Sequence, residues 1–211
     1  MKRILTIAAL LLTIAACGQN NNKTMNNQKT LVAYFSWSGN TTEIANYIAA
    51  KTGADTFEIV TEKEYPTEYQ PCTEVAKAEK EANARPAIKG TVENFDQYDV
   101  IFIGCPVWWY TGPMAIMTFL ESYNFEGKTV IPFCTAYSGP SQTLKAILEA
   151  TPMSEHKDGI CIVTKELGGK GLDKKHGEVD AWLKKIGLLD SEDEKGSFVW
   201  LGSFGCPLFL Q

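Results

Sequence analysis

The chain is predicted to change from strand to helix at Ser36-Trp37-Ser38-Gly39-Asn40-Thr41-Thr42. The residues before this stretch, 31–35, form a short apolar run without helical spacing, as a buried strand does. After it, Ile44, Tyr47 and Ile48 fall on one face of a helix. The stretch itself contains four hydroxyl side chains, one amide and one glycine, and neither Lys nor Arg. It therefore predicts a strand–loop–helix unit with a polar, uncharged loop.

A loop of this composition can hold a phosphate group. The first N–H groups of a helix have no acceptor inside the helix, and the helix dipole adds partial positive charge there. An anion can therefore bind at a helix N-terminus without a cationic side chain. The alternative is a well-capped turn, because Ser, Thr and Asn are ordinary capping residues.

Composition and charge restrict the class of protein. With 211 residues, 45% of them hydrophobic and 21% charged, one domain with one good core is expected. The net charge of −5 and the pI near 5.2 argue against nucleic acid as a ligand, since it requires a basic face. His156 and His176 lie in polar segments without a His or Cys at metal-ligand spacing. We expect both at the surface and predict no metal site.

The first residues resemble a bacterial lipoprotein signal. Lys2-Arg3 is a basic start, residues 4–16 are an apolar run too short to span a bilayer comfortably, and small residues lead into Cys17. The resemblance implies cleavage after residues 1–16, lipidation of Cys17, and an extracytoplasmic protein attached to a membrane through that lipid anchor alone. The alternative is a plain secretory signal with an incidental cysteine. Residues 17–29 are polar and Asn-rich and predict a flexible tether.

The remaining cysteines predict no disulfide framework. Five cysteines follow Cys17, so at least one is expected to stay unpaired within the chain. Three of them, Cys105, Cys134 and Cys161, lie in apolar strand-like runs, where cysteine usually acts as a small hydrophobic residue.

Strand-like and helix-like segments alternate over residues 30–187, the predicted domain. The predicted strands are 31–35, 56–60, 99–104, 129–134 and 160–163, and helices follow at 43–51, 72–84, 114–123, 142–149 and 173–186. Crossovers of this length carry helices between parallel strands. The prediction is an α/β fold, a three-layer α/β/α sandwich around a five-stranded parallel sheet of order 2-1-3-4-5. Residues 188–211 do not fit this pattern, and an edge hairpin, an interaction tail and a segment unrelated to the site all stay open.

Three loops are predicted to meet at one edge of this sheet. In an open parallel sheet, ligands bind beyond the carboxyl ends of the strands, where the strand order reverses. The loops at 36–42 and 105–113 lie there, with 135–141 beside them. The second loop offers a flat apolar surface suited to a planar ring. Packing of Trp108 and Trp109 into the core is the alternative, but adjacent side chains on a strand point to opposite faces, so such a pair rarely buries both.

A phosphate contact at one end and a flat ring at the other describe a mononucleotide such as FMN. Residues 30–187 resemble a short-chain flavodoxin, with the phosphate loop at 36–41 and the flavin-side motif Gly104-Cys105-Pro106-Val107-Trp108-Trp109. The resemblance implies a flavodoxin-like fold and non-covalently bound FMN. It implies cofactor contacts from Ser36, Ser38, Gly39, Asn40, Thr41, Thr42, Pro106, Val107, Trp108, Trp109, Thr135, Tyr137, Ser138 and Gly139.

Two features differ from the electron-carrier flavodoxins. Those proteins surround the flavin with carboxylates, which disfavour the anionic reduced form. Residues 104–113 and 135–141 contain neither Asp nor Glu, so a very low potential is less expected here. Carriers also often place a glycine beside the flavin, and Val107-Trp108-Trp109 is expected to lack that backbone freedom.

These differences favour a redox protein that passes electrons from a reduced donor through FMN to a quinone or a similar small acceptor. The electron chemistry belongs to the flavin in this hypothesis, and no catalytic acid or base is assigned. A one-electron carrier and a flavin-free surface binding module on the same fold are the alternatives. A homodimer is left open.

Overall fold

The computed structural model of the protein describes residues 28–167 and 171–190. The predicted signal at 1–16, residues 17–27 of the predicted tether and residues 191–211 lie outside this part of the chain. Within the described residues, no helix combines the length and the apolar character needed to cross a membrane.

The secondary structure alternates as predicted. The strands are β1 (Thr30–Tyr34), β2 (Asp55–Glu58), β3 (Val60–Thr61), β4 (Ile88–Lys89), β5 (Val100–Pro106), β6 (Thr129–Ala136), β7 (Glu155–His156) and β8 (Ile160–Val163). The α-helices are α1 (Asn40–Thr52), α2 (Tyr69–Glu81), α3 (Met114–Glu121), α4 (Thr143–Glu149) and α5 (His176–Lys185). Short 3₁₀ turns cover Phe95–Gln97, Lys165–Leu167 and Leu172–Lys175.

The main sheet has the order β2-β1-β5-β6, and both β7 and β8 pair with the outer edge of β6. All of these pairs are parallel. Strands β7 and β8 lie one after the other along the outer edge of β6, and together they take the place of the predicted fifth strand. The predicted order 2-1-3-4-5 is therefore confirmed. The prediction missed the separate antiparallel pair of β3 with β4.

The fifth position is divided into two strands beside Pro132. Strand β7 pairs with Thr129 and Val130, and β8 pairs with the stretch from Phe133 onwards. Pro132 lies between these two sets and cannot donate a ladder hydrogen bond, because it has no N–H group. Gly159 fits the gap, since a Cβ there would lie 2.5 Å from the Pro132 carbonyl oxygen.

Both faces of the sheet are covered, which confirms the three-layer sandwich. On one face, the core of β1 and β5 packs with Ile116 and Phe119 of α3 and with Ile147 of α4. On the other face, Val32 and Phe102 pack with helices α1 and α5. The alternation of side chains along each strand explains this division. Leu188 and Leu189, the first residues of the predicted C-terminal extension, pack against the second of these faces.

Helix α2 begins three residues before its predicted start. The sequence predicts a loop over residues 62–70 and a helix from Cys72, which leaves Pro71 outside the helix. Pro71 instead occupies the first turn of α2, where an N–H group would have no acceptor inside the helix. This early start matters for the site, because the first turn of α2 forms one of its walls.

Candidate functional site

A cavity of about 630 Å³ opens beyond the carboxyl ends of β1, β5 and β6. None of the residues that line it carries a charged side chain. The lining includes ten of the predicted contact residues: Ser38, Asn40, Pro106, Val107, Trp108, Trp109, Thr135, Tyr137, Ser138 and Gly139. The other four predicted contacts, Ser36, Gly39, Thr41 and Thr42, lie beside the cavity in the first loop and are not part of its lining.

The first loop leaves backbone N–H groups available at the start of α1. Gly39 is the N-cap residue, adopts a left-handed backbone (φ 88°) and has no side chain with which to cap the helix. The Ser36 hydroxyl accepts the N–H of Thr42 at 3.3 Å. Among the described residues, no acceptor pairs with the N–H groups of Ser38, Gly39, Asn40 or Thr41. The Ser36 hydroxyl of the loop therefore satisfies one amide of this turn, and four remain for an anion.

Thr41 joins the first loop to the third. It is 1% exposed, and its hydroxyl oxygen lies 2.8 Å from that of Thr135 in a buried hydrogen bond. The two residues are separated by 94 positions in the chain. This bond joins the start of α1 to the end of β6, so the first and third loops lie side by side at the site.

The second loop contains a tight turn with an unusual backbone. Trp108 and Thr111 exchange N–H···O bonds of 2.7 and 2.9 Å, and the two residues between them have positive φ, 47° at Trp109 and 68° at Tyr110. This is the pattern of a type I′ turn, which normally uses Asn and Gly. The expectation that Val107-Trp108-Trp109 lacks the backbone freedom of a glycine stays a prediction, because one fixed conformation does not test it.

Contacts from two helices hold this turn in place. The Trp109 indole N–H donates to the Thr73 carbonyl at 2.7 Å, and the Lys80 ammonium donates to the Trp109 carbonyl at 2.7 Å. Beside α4, the Gln142 N–H donates to the Tyr110 carbonyl at 3.0 Å. A left-handed backbone costs an L-residue about 1–2 kcal/mol, so three such bonds can offset it.

The two tryptophans have different environments. Packing into the core describes Trp108, and exposure to a ligand ring describes Trp109. Trp108 is half-buried and packs edge-on against Phe35 and Tyr65, with ring centroids 5.4 and 5.0 Å away. Trp109 is 40% exposed at the mouth of the cavity. Trp109 is therefore the ring available to a ligand from outside the core.

Helix α2 forms one wall of the cavity, which the sequence alone did not predict. Its contribution comes from Tyr69, Gln70, Cys72, Thr73 and Ala76. Cys72 and Ala76 are buried although the helix as a whole is polar. A pair of small residues four positions apart was the available signal, because it marks a helix face that approaches another element closely.

Aromatic side chains surround the mouth of the cavity. Tyr69, Tyr110 and Tyr137 are each about 70% exposed and line it together with Trp109. Trp37, which was not predicted as a contact, also lines the cavity and donates its indole N–H to the Pro66 carbonyl at 2.9 Å. The cavity therefore has exposed rings at its opening and lies beside the free amides of the first loop.

The histidines take no part in this site. The ring of His156 lies 3.1 Å from the Thr151 hydroxyl, and neither histidine lines the cavity. His176 is half-buried rather than at the surface, because its ring stacks on Tyr47 with centroids 3.6 Å apart. No group of three potential metal-ligating side chains occurs in residues 28–167 and 171–190.

The comparisons with known proteins agree with this geometry. The family model described as Flavodoxin matches residues 29–185. The chain belongs to the flavodoxin family.

Solved structures of similar flavodoxin-like proteins cover most of the domain. A structure described as a flavoprotein from Bacteroides eggerthii is 31% identical, covers 76% of this chain and 98% of its own, and has a TM-score of 0.63. A similarly described protein from Bacteroides uniformis is 31% identical over 75% of this chain and 99% of its own, with a TM-score of 0.61. A flavoprotein from Lactobacillus acidophilus, solved in complex with FMN, is 25% identical over 67% of this chain and 97% of its own, with a TM-score of 0.57. No curated protein matches the sequence.

Proposed function

We propose that this flavodoxin-family chain binds FMN and uses it to pass electrons from a reduced donor to a quinone or a similar small acceptor. The observation that carries the proposal is one cavity without charged lining residues, which lies beside free helix-start amides and has exposed aromatic rings at its opening. FMN is the cofactor in keeping with the family, and the Lactobacillus acidophilus relative was solved with it.

The start of α1 fits the phosphate of FMN. Four N–H groups, from Ser38 to Thr41, have no acceptor among the described residues, and the helix dipole favours an anion at this end. The hydroxyl of Ser38 and the amide of Asn40 line the adjoining part of the cavity. These groups can hold a phosphate by hydrogen bonds alone, without a Lys or Arg in the lining.

The opposite end fits a flat ring system. Pro106, Val107 and Trp109 line one side, and Tyr137 and Gly139 line another. Cavities of about 300–1,000 Å³ accommodate small-molecule ligands, and this cavity, at about 630 Å³, lies inside that range. Aromatic side chains stack favourably on a planar ligand. When bound, FMN supplies the electron-transfer chemistry, and the chain holds it, orients it and sets its electrostatic surroundings.

The absence of charged residues from the cavity lining supports transfer to a small-molecule acceptor over the role of an electron carrier with a low reduction potential. No Asp or Glu lines it, so the chain adds no like-charge repulsion against negative charge on a reduced flavin. The exposed rings of Tyr69, Tyr110 and Tyr137 leave a planar, apolar approach to the cavity. An uncharged planar compound such as a quinone suits this approach, because its transfer from water to an aromatic surface is favourable.

Replacing Trp109 tests the position of the ring. We expect Trp109→Ala to weaken FMN binding about 5- to 150-fold, the range of 1–3 kcal/mol for a base stacked on an aromatic side chain. Trp109→Phe loses the hydrogen bond to the Thr73 carbonyl. Because it keeps an aromatic ring, it should retain most of the affinity for FMN. The measurement is quenching of flavin fluorescence during titration. Equal affinity of Trp109→Ala and the wild type would show that the flavin lies elsewhere.

Transfer to an acceptor tests the redox proposal. The FMN-loaded protein, reduced anaerobically, should be reoxidised by a water-soluble quinone with two electrons delivered per FMN. A reductive titration should then show one two-electron step, whereas two separate one-electron steps would favour the carrier. Free FMN at the same concentration is the control for uncatalysed reaction. If the protein binds no flavin in the titration above, the flavin-free binding module replaces both redox alternatives.

We also propose that the chain is a membrane-anchored extracytoplasmic lipoprotein. The support is the sequence around Cys17, where a basic start and an apolar run lead through small residues to the cysteine. Cells expressing the full chain should incorporate a labelled fatty acid into it, and Cys17→Ser should abolish the label. Incorporation that persists in Cys17→Ser would contradict the anchor.

A further inference from the structure

Three cysteines lie in one row across the sheet. Cys105 of β5 is in register with Cys134 of β6, and Cys134 is in register with Cys161 of β8. Neighbouring strands of a sheet are about 4.8 Å apart, and in-register partners point to the same face. Each neighbouring pair therefore falls within the Cα separations at which disulfides form, about 4.4–6.8 Å.

Of the two neighbouring pairs, Cys134 and Cys161 are the better placed to react. Cys134 is in register with both of the other cysteines, so their burial decides between the two pairs. Cys105 lies in a central strand, is fully buried, and its pKa is raised by that burial. Cys161 lies on the short outer strand β8 and is half-buried. The neighbouring Cys134 thiol lowers the pKa of Cys161, which favours the thiolate, the reactive form.

We propose that Cys134 and Cys161 form a redox-active dithiol that a small-molecule disulfide oxidises. The Cys161 thiolate attacks one sulfur of the small disulfide, forms a mixed disulfide and releases one small thiolate. Cys134 then attacks the Cys161 sulfur and passes its proton to the departing small thiolate, which leaves as a thiol. The two cysteines lose two electrons and two protons, and the small disulfide becomes two thiols.

The geometry indicates a disulfide that is readily reduced again. Two in-register residues have nearly parallel Cα–Cβ bonds, so their Cβ atoms start about as far apart as the strands, about 4.8 Å. This exceeds the usual Cβ separation in a disulfide of about 3.5–4.5 Å, and deviations of this kind make the bond more reducible. A labile, reversible disulfide is therefore expected rather than a structural one.

The dithiol lies next to the cavity wall. Cys134 is followed directly by Thr135 and Ala136, which line the cavity. Directly after β8, the N–H of Thr164, another lining residue, donates to the Ala136 carbonyl at 2.8 Å. Drawing β8 towards β6 at the cysteines would therefore move both sides of this wall.

Disulfide mapping on the full chain tests the proposal. The protein is incubated with oxidised glutathione under native conditions and then unfolded in acid; remaining thiols are alkylated in denaturant, and peptides are identified by mass. We expect a peptide pair linked through Cys134 and Cys161, which disappears when reduced glutathione is added. Cys161→Ser should leave Cys134 alkylated as a thiol. The matched control is Cys72→Ser, which removes another buried thiol and should leave the linked pair unchanged.

Three outcomes would overturn the proposal. They are a Cys105–Cys134 link in place of the expected one, a glutathione adduct on Cys161 that never resolves, and no change at either cysteine. The wild-type map alone decides among these outcomes, so the test stands even if Cys161→Ser folds poorly. The FMN affinity of the protein does not enter this measurement, so its result is independent of the proposed function.

Discussion

The site depends on a helix that begins without a cap. Strand β1 is buried on both faces, and the Phe35 N–H donates to the Gly104 carbonyl at 2.9 Å, so the chain reaches the first loop at a fixed place at the edge of the sheet. Gly39 then starts α1 without a capping side chain. Unpaired N–H groups are costly when they lose water, and an anionic ligand satisfies them while the helix dipole adds to the attraction.

The aromatic side of the cavity rests on a second constraint, a turn held against its own backbone preference. Trp109 and Tyr110 both adopt left-handed conformations, and the bonds from Lys80, Gln142 and the Trp109 indole keep them there. Strained backbone of this kind persists only where surrounding contacts determine it, and it clusters at functional sites. Helix α2 therefore has a structural part in the site in addition to providing one of its walls.

The sequence alone predicts the order of the sheet and the meeting of the three loops, because both follow from short apolar runs and from the topology of parallel sheets. The features it did not predict are long-range. The wall from α2 depends on how a polar helix docks, and the bond between Thr41 and Thr135 joins residues 94 positions apart. The left-handed turn contradicts local propensity, so only contacts from distant elements reveal it. The division of the outer strand beside Pro132 depends on pairing that a single strand does not show.

The central claim is that the uncapped start of α1 holds a phosphate. The most direct test compares the affinities of the unmodified protein for FMN and for riboflavin, which has the same ring system without the phosphate. Hydrogen bonds to a charged group contribute about 1.5–3 kcal/mol each, so FMN should bind at least about 10-fold more tightly than riboflavin. Equal affinities, measured by the same fluorescence titration, would contradict the claim.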